Sequence, residues 1–345
     1  MSVTMTYEIG SFYPKLDLIT ADYMWHKTGK INFLASGRDA LYGLLLELTQ
    51  NNKNSNFKIW IPSYYCHSLT MTLNKSHHIN IYESRPYGPI NISNYFTEDD
   101  LIIVPEYFGH KSCIKFRGNP RIILDKTHNP ITNYTYEYNV DYIFGSLRKV
   151  LPLADGGFYI KNDNSSNRTG LESTYPISDT HRLSYEAINT AMQLKTKYLD
   201  GIISEKEFYL DLYNYGESQI GTDITPSGIL SNRTLISYAD IQYYINARIN
   251  NNHELRSLFD KYSLNFKYID TTLFFTLSFK SISERESFKK HLIENNIYPS
   301  VLWPVNSRYM LKDDIQISET SLVLPTDFRY NFQDMEYIVS IAKQY

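Results

Sequence analysis

Two cysteines in 345 residues, Cys66 and Cys113, provide no disulfide framework, and a reduced compartment is expected. No window reaches the run of about 18 apolar residues that a membrane span needs, so no span is expected. The opening segment Met-Ser-Val-Thr-Met-Thr-Tyr-Glu lacks the charged and apolar regions of a signal peptide, which together with the cysteine usage predicts a cytoplasmic protein. A net charge of −3 with no basic block offers no footprint for nucleic acid or an anionic membrane. There is no internal repeat and no low-complexity linker, and the polar segment 161–168 reads as a loop.

Apolar residues make up 42% of the chain, enough for a substantial interior, and the length suits two domains sharing an interface. Short apolar runs, at Lys58–Ile61, Ile79–Tyr82, Leu101–Val104, Arg121–Leu124 and Tyr142–Phe144, predict strands. Helical spacing appears in Arg38–Leu48, over 180–215, and from near Tyr238 through Ile241, Ile245, Arg248 and Leu255. Strands over Thr271–Phe279 and Ile297–Trp303 should flank a helix over Glu284–Asn295, with a last helix from Asp334. The expected fold is α/β: a large domain over 1–237 with a mostly parallel sheet flanked by helices, and a smaller α+β domain over 238–345.

The chemistry is concentrated in two segments. Arg121-Ile-Ile-Leu-Asp125 ends an apolar strand on an acid, where open α/β sheets bind ligands. Two dozen residues later, Gly145-Ser-Leu-Arg-Lys-Val-Leu-Pro-Leu-Ala-Asp-Gly-Gly157 places Lys149 before a Gly-Gly turn. A lysine that can form a Schiff base, with an aspartate that can keep a pyridine nitrogen protonated, is what pyridoxal 5'-phosphate chemistry requires. Taken singly, Asp125 also reads as a turn or capping aspartate before Asn129-Pro130, and Lys149 as an exposed lysine. His128 is either a contact to the cofactor's ring or phenolic oxygen, or a structural histidine. Ser36-Gly37-Arg38 opens a helix, which is a phosphate cradle or an ordinary N-cap. Pro62-Ser-Tyr-Tyr-Cys-His67 supplies Tyr65, with Tyr64 or His67 as alternatives, to stack on a planar ring. No metal ligand set is assigned.

Ser36-Gly-Arg-Asp-Ala-Leu41, Pro62-Ser-Tyr, Tyr107-Phe-Gly109, Leu124-Asp-Lys-Thr-His128 and Ser146-Leu-Arg-Lys-Val-Leu-Pro-Leu-Ala-Asp-Gly-Gly157 resemble, in that order, the DegT-type aminotransferases. These are fold type I pyridoxal phosphate enzymes that aminate keto-sugars on nucleotide carriers. The resemblance implies Lys149 as the Schiff-base lysine, Asp125 at the pyridine nitrogen and His128 near the phenolic oxygen. It implies Gly37, Arg38 and Ser146 at the phosphate, and Asn232 reaching the phosphate of a neighbouring subunit in a homodimer. It further implies glutamate or glutamine as donor and a keto-sugar nucleotide as acceptor. The pattern departs from the family in two places: Ser146 lies three residues before the lysine rather than five, and Arg38 stands where the family has threonine. Arg329 and Trp303-Pro304 are candidates on the substrate side, or else surface and core residues. A lyase or dehydratase using the same cofactor, and a non-catalytic relative, are the alternatives.

Overall fold

The computed structural model describes residues 7–345 except 27–29, 52–56, 85, 87–89, 132–133, 163–169, 172–174, 224, 270 and 305–307; most of the expected polar loop at 161–168 therefore lies outside the described residues. Eight strands build the central sheet: β1 (Lys30–Leu34), β2 (Lys58–Pro62), β3 (Ile79–Tyr82), β4 (Asp100–Pro105), β5 (Arg121–Asp125), β6 (Tyr142–Ser146), β7 (Gly157–Lys161) and β8 (Gly170–Leu171). Their spatial order is β8-β1-β7-β6-β5-β4-β2-β3. Neighbours from β3 through β6 run parallel, and β7 runs antiparallel to both β6 and β1.

The sequence accounts for this layout. Leu101-Ile-Ile-Val104 and Ile122-Ile-Leu124 are buried on both faces, as expected of parallel strands covered by helices on either side. Helix α1 (Gly37–Asn51) presents Ala40, Leu41, Leu44, Leu45 and Leu48 to the sheet residues Ile59, Ile61, Ile123 and Phe144. The parallel strands all end at one edge, and the loops that leave this edge carry Ser36-Gly37, Tyr64-Tyr65, Asp125 to His128, and Ser146 to Lys149.

The helical stretch expected over 180–215 is two helices, α2 (Asp179–Leu199) and α3 (Glu207–Gln219), separated after Gly201, whose φ is +70°. Helix α4 (Ile241–Lys261) starts behind Asp240, whose side chain caps the Tyr243 N–H. A smaller antiparallel sheet of Lys267–Ile269, Phe275–Ser278 and Ser321–Leu324 packs with α4 and with the helices Ile282–Glu294 and Phe332–Ala342.

Two expected strands are shorter than their apolar runs suggested. The segment Ile297–Trp303 pairs as a strand only at Ile297–Tyr298, with an isolated bridge from Ser300 to Val323. Pro299 has no N–H to donate, and Trp303 takes φ +46°, which takes the chain out of an extended path. In Thr271–Phe279 only Phe275–Ser278 pairs, because the Thr271 and Thr272 carbonyls accept the Asn252 side-chain amide instead. Ile9–Gly10, early in the segment assigned to the large domain, pairs with Ile297–Tyr298 and buries Ile9 in the core of the smaller sheet.

Candidate functional site

The Gly-Gly turn and the start of α1 are built against each other. A Cβ on Gly157 would lie 1.9 Å from the Ser36 carbonyl oxygen, so no other residue fits there. A Cβ on Gly37 would lie 3.3 Å from Cβ of Ser146, which puts the serine side chain beside the first turn of the helix. The Ser36 hydroxyl accepts from the Asp39 N–H at 3.2 Å and bonds its carboxylate, which in turn accepts the Ser227 N–H at 3.0 Å. The N–H groups of Gly37 and Arg38 lie in the first turn, where a helix has no acceptor of its own.

Two guanidinium groups, those of Arg38 and Arg148, lie close enough to feel each other's charge. Arg38 packs against Gly221, where a Cβ would come within 2.8 Å of Cζ, and burial lowers its pKa. Arg148 forms an ion pair with Glu217 of α3, while its Nε is buried without an acceptor among the described residues.

Asp125 is buried at the end of β5. It accepts from the Tyr65 hydroxyl at 2.6 Å and from the Thr127 N–H at 2.9 Å. Burial raises its pKa, and these donors oppose the rise. Tyr65 therefore meets Asp125 through its hydroxyl, and its ring stands edge-on to Trp303 at 5.8 Å. That contact is not the ring-stacking role expected of Tyr65.

His128 is held in one tautomer. Its Nδ1 accepts the Phe108 N–H at 3.0 Å, so the proton of the neutral ring sits on Nε2, which has no partner among the described residues. Burial, then the positive charges of Lys149 and Arg248, push its pKa down to about 3. The ring lies nearly parallel to Trp303, with centroids 5.4 Å apart.

Lys149 ends a short turn, Leu147–Lys149, fixed by Leu147 N–H to Gly156 carbonyl at 2.8 Å and by Gly156 N–H to Ala35 carbonyl at 3.1 Å. Its side chain is exposed. Lys149, Arg148 and His128 line one cavity of about 390 Å³, with Tyr13, Arg248, Phe274 and the Arg329–Asp327 pair among its other walls. The structure thus sets Gly37 beside Ser146 and Asp125 with Tyr65, and of the residues expected at the cofactor only His128 and Lys149 line the cavity.

Two sequence candidates lie elsewhere or are engaged. Asn232 is exposed and caps the short helix Arg233–Ser237 by accepting the Leu235 N–H. All five N–H groups of Arg329 are taken, by both oxygens of Asp327 and by the carbonyls of Gly10, Ser11 and Phe12, so it has no donor left for a substrate. Trp303 contacts Tyr64, Tyr65, Tyr107 and His128, and Pro304 is exposed. Sequence reasoning did not assign a role to Arg248, Glu217 or the segment Gly10–Tyr13. For Arg248 a signal existed: a cation on the otherwise apolar face marked by Ile241, Ile245 and Leu255.

No protein-family model and no curated protein sequence matches the chain. Solved structures do match over the whole fold. A putative sugar aminotransferase from Streptococcus pneumoniae, in its PMP form, superposes with a TM-score of 0.59 at 13% identity, covering 98% of each chain. The Helicobacter pylori aminotransferase PseC, involved in the biosynthesis of pseudoaminic acid, gives 0.58 at 11%, covering 98% of this chain and 99% of its own. The Micromonospora echinospora sugar aminotransferase CalS13 gives 0.53 at 12%, covering 91% and 87%. The chain has the α/β architecture of these proteins, fold type I, with a mixed, mostly parallel large sheet and a smaller C-terminal sheet.

Proposed function

We propose that this chain is a pyridoxal phosphate-dependent aminotransferase that passes an amino group from glutamate or glutamine to a keto-sugar, carried on a nucleotide, as a cytoplasmic homodimer. The observation that carries the reading is that Lys149 and His128, whose Nε2 has no partner among the described residues, line one cavity, at the sheet edge that also carries Asp125, Gly37 and Ser146. The residues fit the cofactor on three counts. Gly37 leaves open the space beside Ser146 that a Cβ would fill, Arg148 Nε is a buried donor without an acceptor among the described residues, and Asp125 is a buried carboxylate at a strand end.

When bound, the cofactor supplies an aldehyde for the lysine and a ring that accepts electrons. The chain's own groups do the rest. The Gly37 and Arg38 N–H groups and the Ser146 hydroxyl would hold the phosphate, assisted by the helix dipole. Asp125 keeps a proton on the ring nitrogen, its carboxylate fixed by Tyr65 and Thr127. His128, with its proton on Nε2, would donate to the phenolic oxygen. The Lys149 amine takes and returns the proton at the substrate carbon. Asn232 lies on the surface, as a residue reaching into a neighbouring subunit must.

The test is a half-reaction. Protein saturated with pyridoxal phosphate and mixed with glutamate should release one equivalent of 2-oxoglutarate without any acceptor. Cofactor-loaded protein that releases no 2-oxo acid from either glutamate or glutamine would contradict the reading.

A further inference from the structure

The cavity is lined by a buried cation that forms no ion pair among the described residues. Arg248, on α4, is 9% exposed, and its guanidinium lies over the Phe274 ring at 4.9 Å from the centroid. Nη2 donates to the Tyr13 hydroxyl at 3.2 Å and to the Lys149 carbonyl at 3.3 Å. Nε and Nη1 have no acceptor among the described residues. Arg248 forms no ion pair there either, since Asp327, whose charge it feels, gives both oxygens to Arg329.

A largely desolvated guanidinium without a counter-charge is unfavourable unless an anion arrives from solvent. Arg248 lines the cavity, and a guanidinium fork matches the two oxygens of a carboxylate. Position narrows the choice of anion. Arg248 touches the backbone of Lys149, the residue whose amine would act on the substrate, so the anion belongs close to the reacting carbon. The α-carboxylate of an amino acid is one bond from that carbon. The diphosphate of a nucleotide-carried sugar is separated from it by part of the sugar ring.

We propose that Arg248 recognises the α-carboxylate of the amino donor and of the keto acid it becomes. The inference rests on the aminotransferase reading above and adds to it the residue that selects the donor class. Tyr13 and the Lys149 carbonyl orient the guanidinium, and Phe274 supports its face.

The experiment is calorimetric titration of the full chain, with 2-oxoglutarate after saturation with pyridoxal phosphate and with inorganic phosphate before the cofactor is added. Arg248→Met should weaken 2-oxoglutarate about 100-fold, and Arg248→Lys, which keeps the charge but loses the fork, about tenfold. Phosphate, which the cradle at Gly37 takes, should be unaffected by either change. Unchanged 2-oxoglutarate affinity in the variants, or no binding to the wild type, overturns the proposal. If the Met variant does not fold, the Lys variant decides by the same criterion. The absorption band of the cofactor on Lys149 is read in the same samples. A band with unchanged affinity overturns the carboxylate site alone. No band with a lost affinity overturns the aminotransferase reading and leaves the anion site standing.

Discussion

The Phe108 N–H donates to Nδ1 of His128 at 3.0 Å, and this one bond determines which face of the imidazole can act. With Nδ1 occupied as an acceptor, the neutral ring carries its proton on Nε2, towards the cavity that Lys149 lines. A protonated ring would lose the acceptor that Phe108 requires and would add a third cation beside Lys149 and Arg248.

Stability should follow from this. His128 is pushed down to about 3 from 6.5, so the unfolded chain takes up a proton that the folded chain refuses between those values. Its contribution is fully present above about pH 6.5 and falls by about 1.4 kcal/mol per pH unit as the pH drops towards about 3. Urea unfolding of the wild type and of His128→Gln between pH 4 and 7 checks this. The variant should lose one proton's worth of slope, and identical slopes would show that His128 does not titrate in this way.

Gly157→Ala should be severe. Its Cβ would sit 1.9 Å from the Ser36 carbonyl, and backbone on both sides cannot yield without moving the start of α1. A loss on the order of 3 kcal/mol or more is expected, as for other over-packed backbone contacts. The thermal midpoint measures it, and a shift within error of the wild type would contradict the close approach described here.

The Arg329–Asp327 pair predicts a fault of stability rather than of substrate binding. Arg329→Met leaves Asp327 buried without its partner and frees three carbonyls, at a cost of about 3–5 kcal/mol. The melting temperature should fall, while KM for the amino donor, taken below the melt, stays within about twofold. A large rise in KM with unchanged melting would restore Arg329 to the substrate side.

Much of this was legible in the sequence. The strands ending at Asp125 and Ser146 were visible because parallel strands buried on both faces read as unbroken apolar runs. Helix α1 was visible from its spacing behind Ser36-Gly37. Lys149 and the Gly-Gly turn could be read as one unit because a glycine pair seven and eight residues after a lysine fixes a loop length. What escaped depends on contacts between distant segments. The Tyr65 hydroxyl on Asp125 joins positions 60 residues apart, and the Arg248 contact with Lys149 joins positions 99 apart. Arg329 reads in the sequence as either a substrate-side or a surface residue, and only the N-terminal carbonyls of Gly10 to Phe12, with Asp327, decide that its donors are filled. No local pattern encodes such partners. The return strand over Ile297–Trp303 failed for a local reason, since Pro299 and the positive φ of Trp303 outweigh the apolar composition.

The most direct test of the account is the absorption spectrum of the protein with pyridoxal phosphate, before and after borohydride, followed by peptide mass mapping. The account predicts a visible band that borohydride bleaches, leaving a pyridoxyl group on Lys149 and none in Lys149→Ala. A wild-type protein that takes up no cofactor, or one labelled at a different lysine, would contradict it.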